Sequence, residues 1–260
     1  MKQDTLQTAI ADGIATIRMN RPDVHNAFDD ALIAELTAEL NRLDQAPQVR
    51  IIVLAARGKS FSAGADLNWM RRMAKYSQEE NLRDARALAG LMRSLDGMHK
   101  PTIAQVQGAA VGGGVGLVAC CDIAIASTAA TFALSEVRLG LIPAVISPYV
   151  IGAIGERAAR RYFLTAERFD AMEARRMGLV HEVVEGAALE DTVASLAAHL
   201  LKGGPQALSA AKKLIADVSR RPMDDALADE TAQRIAAIRV EQEGQEGLAA
   251  FFDKRHPGWM

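Results

Sequence analysis

Twice in this chain a short apolar run ends in a turn made almost wholly of small residues. Arg50–Ala56, with Ile51-Ile52-Val53-Leu54 at its centre, leads to Phe61-Ser62-Ala63-Gly64-Ala65-Asp66-Leu67. Pro101–Gln107 leads to Gly108-Ala109-Ala110-Val111-Gly112-Gly113-Gly114-Val115-Gly116. An unbroken apolar run of this length reads as a strand buried on both faces. A small-residue turn between such a strand and a helix leaves main-chain N–H groups unpaired, with a helix dipole that favours negative charge in front of them. Small side chains also let a ligand approach the backbone closely. Close helix–sheet packing would use the same glycines equally well.

The remaining spacing extends the pattern. Leu6–Met19 alternates loosely about Asp12-Gly13, a hairpin turn signal. Leu32, Ile33, Leu36, Leu40 and Leu43 have helical spacing within Ala31–Leu43, with Asp29 and Asp30 suited to the helix start. Gln78–Leu95 reads as a helix, and Asp122–Ser127, Thr131–Leu134 and Leu179–Val184 read as strands. Strands separated by helices predict an α/β fold with largely parallel sheets. Leu189–Leu201, Ala207–Ser219, Asp224–Ile238 and Gly244–Lys254 then read as consecutive helices, with Pro205 and Pro222 near their starts. The expected division is a mixed core over residues 1–200 and an all-helical region over 201–260.

Composition narrows the function. With 30 basic against 32 acidic residues the net charge is −2, and the basic clusters are short (Arg71-Arg72, Arg160-Arg161), so nucleic acid is not the expected partner. Only two cysteines occur, the adjacent Cys120 and Cys121. Neighbours rarely reach disulfide geometry, and they read as small buried hydrophobes in a reducing compartment. The N-terminal stretch carries Lys2, Gln3 and Asp12 in place of a signal-peptide core, and no apolar run is long enough to span a bilayer. A cytoplasmic enzyme without membrane contact is expected. No His or Cys has metal-ligand spacing, and no G-x-S-x-G elbow occurs. The dinucleotide fingerprint read from Gly112 and Gly114 has Leu117 where its third glycine belongs, and no Gly-Lys-Ser/Thr follows for a phosphate loop.

Four segments, F-S-A-G-A-D-L (61–67), Q-G-A-A-V-G-G-G-V-G-L (107–117), C-C-D-I-A-I-A (120–126) and S-E-V-R-L-G-L-I-P (135–143), together resemble the crotonase (enoyl-CoA hydratase/isomerase) superfamily. Arg21-Pro22 followed by His25-Asn26-Ala27 resembles its N-terminal signature, and Ala171–Val180 a later one. The resemblance implies a spiral of ββα turns, a C-terminal helical region that forms trimers or dimers of trimers, and an acyl-CoA substrate with no separate cofactor. It implies that the amides of Ala65 and Gly113, with Gly112 beside them, hold the thioester oxygen as it becomes an enolate. Glu136 matches the carboxylate that moves the proton. CoA is expected near Ala63, Asp66, Leu67 and Lys59.

Two departures bear on specificity. The family's hydratases carry a second glutamate where this chain has Gly116, a pattern that favours double-bond isomerisation by one carboxylate over straight-chain hydration, or a scaffold that has lost catalysis. Yet Asn68-Trp69-Met70, Gly116 and Ala144–Tyr149 resemble bacterial hydratases of branched, carboxylated substrates, the 3-methylglutaconyl-CoA and isohexenylglutaconyl-CoA enzymes. On that reading Gly116 leaves room for the branch, and Arg138, Arg71 or Arg72 pairs with the substrate carboxylate. Tyr149 or Ser147 could bind water, or serve as packing and helix-start residues.

Overall fold

In the computed structural model, residues 4–219 and 221–260 are described; Lys2 and Gln3 lie outside them. Strands β1 (Leu6–Ala11) and β2 (Ile14–Met19) form the antiparallel hairpin that Asp12-Gly13 signals, both turn residues lying at positive φ (50° and 79°). The Asp29 side chain caps α1 (Asp30–Gln45) by accepting from the Leu32 amide, and the five apolar residues of the expected stripe are its buried face.

From there the chain repeats one unit. β3 (Ile51–Ala56) is followed by the short β4 (Ser60–Ser62) and by helices α2 (Leu67–Met73) and α3 (Gln78–Asp96). β5 (Thr102–Val106) is followed by β6 (Ala109–Val111) and α4 (Gly113–Cys120). β7 (Ile123–Ser127) is followed by β8 (Thr131–Ala133), a 3-10 turn over Glu136–Leu139, and α5 (Ser147–Thr165). β9 (Phe169–Asp170), α6 (Ala171–Met177) and β10 (Glu182–Val184) precede α7 (Leu189–Leu200), α8 (Pro205–Val218), α9 (Asp225–Val240) and α10 (Gln242–Phe252).

The first strand of each unit enters a six-stranded sheet of order β1-β2-β3-β5-β7-β10, parallel except for the hairpin. The second strand enters a smaller sheet of order β4-β6-β8-β9, in which the first three run parallel. This is the ββα spiral that the resemblance implies. Successive residues of β3 serve opposite faces of the large sheet. Ile51 and Val53 join Ile103 and Ile125 beneath Leu189, Val193 and Ala197 of α7, while Ile52 and Leu54 join the larger core with α1, α3 and α4. Burial on both faces is what made these strands read as continuous apolar runs.

Three readings need adjustment. The supposed loop 107–116 contains β6, a strand too short and too small-sided to be seen by periodicity. The expected strand 179–184 is reduced to Glu182–Val184, because Leu179 and Val180 bond back to Ala174 and close α6 behind Gly178. Helix α5 was not expected; its period is broken at Gly155, where the backbone leaves helical geometry (φ 76°, ψ 158°). Cys120 and Cys121 are free and buried, and burial pushes both thiols well above the ordinary range. No helix among the described residues is long and apolar enough to cross a membrane.

Candidate active site

Register in the small sheet places the site. Ser62 lies opposite Ala110, Ala110 opposite Phe132, and Val111 opposite Ala133, so β4, β6 and β8 end level with one another. The residues that follow them therefore meet at one edge, outside the carboxyl ends of parallel strands, where ligands bind in open α/β sheets.

After β4, the Phe28 amide donates to Gly64 O (2.6 Å) and the Asp66 amide to Phe28 O (2.7 Å), a parallel bridge centred on Ala65. In such a bridge the intervening residue turns its own N–H the opposite way, and the Ala65 amide has no acceptor among the described residues. Gly64 makes the turn at φ 86°, and a Cβ there would stand 3.1 Å from Val111 O, so this loop packs directly on the next one. The Arg21–Ala27 stretch supports it from behind. Asn26 is fully buried and donates to Arg57 O (2.8 Å) and Ser60 O (2.9 Å), while His25 O accepts from the Ala63 amide (3.0 Å).

After β6, Gly112 (φ 52°, ψ −116°) precedes the first residue of α4, and its amide donates to Ala133 O (2.9 Å). The Gly113 amide, at the head of the helix, has no acceptor among the described residues. A Cβ at Gly113 would lie 2.9 Å from the Phe28 ring, and Phe28 itself is 2% exposed. Phe28 thus bridges one candidate donor with its backbone and packs the other with its ring. Sequence reasoning missed it, although it directly follows the His-Asn-Ala motif.

After β8, the Glu136 carboxylate reaches back over Gly112: Oε1 lies 2.8 Å from where a Cβ of that glycine would be. Oε2 is buried with no hydrogen-bond partner among the described residues. Burial holds this carboxyl above its ordinary value, opposed by its own backbone N–H. The corner combines two outward-facing amides with a carboxylate that holds its proton more readily than an exposed one. Such a set can stabilise negative charge on an oxygen and move a proton beside it.

The other expected residues divide. Ala63 is exposed and Leu67 is 70% exposed, both available to a ligand at this edge, whereas Lys59, also exposed, precedes β4 and stands at the amino end of the small sheet against Gly108. Asp66 is not: its Oδ1 caps α2 by accepting from the Asn68 and Trp69 amides, and its Oδ2 accepts from Arg21 (3.1 Å). Its carboxylate holds the loop and is turned away from solvent. Arg72 pairs with Asp30 (2.5 Å) and Arg71 donates to Asn68 (2.9 Å), whereas Arg138 is exposed and has no ion pair among the described residues. Gly116 does not leave open space. A Cβ there would fall 2.3 Å from Ile146 Cγ2 and 3.2 Å from Met92 Cε, so the room expected for a substrate branch is filled by Ile146. Trp69 is a core residue whose Nε1 donates to Asp84 (3.1 Å). Ser147 is a helix-start residue, its hydroxyl donating to Ala144 O (2.8 Å), and Tyr149 packs half-buried against the core. Among the described residues no cluster of three His, Cys, Asp or Glu could hold a metal.

Comparison with known proteins agrees with this geometry. The family described as enoyl-CoA hydratase/isomerase matches residues 9–260. A crystal structure of an enoyl-CoA hydratase from Shewanella pealeana superposes with a TM-score of 0.96 at 50% identity, covering 98% of this chain and 96% of that one. The 2,3-dehydroadipyl-CoA hydratase of Escherichia coli is 31% identical over 94% of each chain. The hydroxycinnamoyl-CoA hydratase-lyase of Pseudomonas fluorescens is 36% identical over 80% of this chain and 76% of its own. The names share a CoA thioester and differ in the acyl group. This chain thus belongs to the crotonase superfamily, the enoyl-CoA hydratase/isomerase family.

Proposed function

We propose that this chain hydrates α,β-unsaturated acyl-CoA thioesters, and that its substrate carries a branched, carboxylated acyl group such as that of 3-methylglutaconyl-CoA. The observation that carries the reading is the convergence of the Ala65 and Gly113 amides with the unpartnered Glu136 carboxylate. The thioester oxygen lies between the two amides, where charge accumulates only as the reaction proceeds; one such donor typically contributes roughly 3 kcal/mol. The Glu136 carboxylate takes a proton from water while the water oxygen bonds to Cβ. The π electrons move to the thioester oxygen as the enolate forms. The protonated carboxyl then delivers a proton to Cα as the enolate collapses, which restores Glu136 and completes the addition. The reaction is redox-neutral and needs no cofactor beyond the CoA of the substrate.

The carboxylated acyl group is supported by Arg138, an exposed guanidinium two residues from Glu136 with no ion pair among the described residues, and by the dicarboxylic acyl group in the name of the Escherichia coli relative. Ala63 and Leu67 offer the exposed edge for the CoA moiety, with Lys59 at the far end of β4, and Gly112 leaves room for the Glu136 carboxylate. Residues 201–260 form the proposed oligomerisation region, since Val240, Phe251 and Phe252 are 78%, 76% and 73% exposed there. A trimer or dimer of trimers would bury them.

A second reading, double-bond isomerisation, is favoured by the single carboxylate: Glu136 would take a proton from Cα of a 3-enoyl thioester and return it to the γ carbon. The retained corner speaks against a silent scaffold. The experiment incubates the protein with 3-methylglutaconyl-CoA, crotonyl-CoA and a 3-enoyl-CoA and follows products by mass. Gain of one water on the glutaconyl thioester, abolished in Glu136→Ala, is expected. A mass-neutral shift of the 3-enoyl double bond without hydration of the other two would establish the isomerase and end the first reading.

A further inference from the structure

The two amides of the proposed site come from different loops, yet one residue touches both. The Phe28 amide donates to Gly64 O (2.6 Å) and its carbonyl accepts from the Asp66 amide (2.7 Å), so its backbone brackets Ala65. Its ring lies on the other loop: Cε2 and Cδ2 stand 2.9 and 3.2 Å from where a Cβ of Gly113 would be. One guanidinium fixes the segment around it. Arg21 donates to Ala27 O (2.6 Å) and pairs with Asp29 (2.8 Å) and Asp66 (3.1 Å), which are the two neighbours of Phe28 and the residue after Ala65. Those charged side chains are largely buried, and such pairs are little screened by salt. The Ala65 loop and Phe28 are thereby held as one piece, and the ring is what this piece presses against the head of α4.

We infer that Phe28 is a positioning residue whose ring sets the gap between the Ala65 and Gly113 amides. The inference rests on the reading of those two amides as the groups that hold the thioester oxygen. Both must stand about 2.7–3.1 Å from one oxygen to act on it together. Phe28 is 2% exposed and acts through the loops it touches. A smaller side chain leaves a void into which the head of α4 can move. A displacement of about 1 Å at a reacting centre can cost about 100-fold in rate. Gly113→Ala drives the two loops the other way, because its methyl meets the ring.

The test has a kinetic and a spectroscopic arm. Steady-state kinetics with crotonyl-CoA compare the parent with Phe28→Leu, Phe28→Ala, Gly113→Ala and the Phe28→Leu/Gly113→Ala double variant. Leu40→Ala, at a fully buried position about 15 Å further along α1, is the control for lost packing. Phe28→Leu is expected to lower kcat at least about 10-fold while KM changes less than about three-fold, since donors to a developing charge act in the transition state. The double variant should exceed the product of the two single effects at least about five-fold, because leucine makes room for the methyl. Leu40→Ala should lose stability and keep its kcat. In the second arm, butyryl-CoA, which has no double bond to react, is labelled isotopically at the thioester carbonyl and its infrared stretch is read when bound. Two donors lower that frequency in the parent, and Phe28→Leu and Phe28→Ala should lose most of the lowering. Where Phe28→Ala fails to fold, Phe28→Leu carries the result. The inference is overturned if folded Phe28→Leu keeps the full lowering and a kcat within about two-fold of the parent, or if Leu40→Ala loses as much of both. No lowering in the parent would instead remove the two-amide reading itself. A lowering without turnover of any thioester would end the proposed hydration and leave the ring's role to the Phe28→Leu spectrum.

Discussion

The edge where β4, β6 and β8 end and the C-terminal helices α8–α10 are built in opposite ways. At the strand ends, backbone meets backbone. Gly64 packs on Val111 O, and Gly114 lies so close to Ser62 O that a Cβ would stand 2.8 Å away. The polar side chains that hold the loops, Asn26 and Asp66, are buried and fully committed. In and beside α8–α10 the contacts run between charged side chains that are only half-buried. Arg234 pairs with Asp217 and Glu230, Arg221 with Glu230, and Arg255 with Glu246, while Phe251 and Phe252 face outward. A site that depends on tenths of an ångström is carried by groups with no rotamer freedom, and the replaceable contacts are kept elsewhere.

The contrast can be broken by substitution. The largest effect is expected for Glu136→Gln, which keeps the shape and removes the base: kcat should fall about 10²–10⁴-fold with the fold intact, read by steady-state kinetics and circular dichroism. The same group sets the pH dependence. Because burial raises its pKa above 4.5, activity of the parent should fall as pH drops through that raised value. Stability should run the other way: the folded state holds this proton more tightly than the unfolded one, so stability declines as pH rises from about 4.5 through the raised pKa, a decline that Glu136→Gln removes. A flat difference between parent and variant stability across that range would contradict the burial argument.

Next comes Gly112→Ala. It places a side chain at φ 52° and 2.8 Å from Glu136 Oε1, so both strain of about 1–3 kcal/mol and a displaced carboxylate are expected. Activity should fall more than about 10-fold, beyond what the loss of stability accounts for. Asp66→Ala removes the α2 cap and one Arg21 contact, and denaturant titration should register a loss of about 1–2 kcal/mol. Smallest is Arg160→Ala in the exposed Arg160–Glu156 pair of α5, expected to move Tm by about 2 °C or less. A larger shift there than for Asp66→Ala would overturn the comparison.

How far the sequence carried depended on where each cause lay along the chain. The three long strands were legible because burial on both faces leaves an apolar signature. Helix α1 was legible from its period and the Asp29 cap, and α3 was read as a helix, to which the structure adds a Ser77–Glu80 capping box. Helix α5 was not, since Gly155 interrupts its period, nor was β6, three small residues long. Within the site, Ala65, Gly113 and Glu136 were read from the family's motifs, and the structure brings them to one edge. The surroundings of Asp66 and Gly116 were hidden, because Arg21 and Ile146 are distant in sequence and no local pattern announces which side chain will fill a neighbour's space. That Arg138 has no ion pair among the described residues, while Arg72 pairs with Asp30 and Arg71 with Asn68, likewise follows only from the structure.

The Ala65 and Gly113 donors are main-chain groups, and this has a hereditary consequence. Of the codon changes possible at either position, only one to proline abolishes the amide hydrogen. The Glu136 carboxylate, in contrast, disappears with almost any missense change. On the proposed mechanism the proton carrier can be lost through its side chain alone. The Ala65 donor survives most substitutions, whereas the Gly113 donor is disturbed by any side chain, which would meet the Phe28 ring at 2.9 Å.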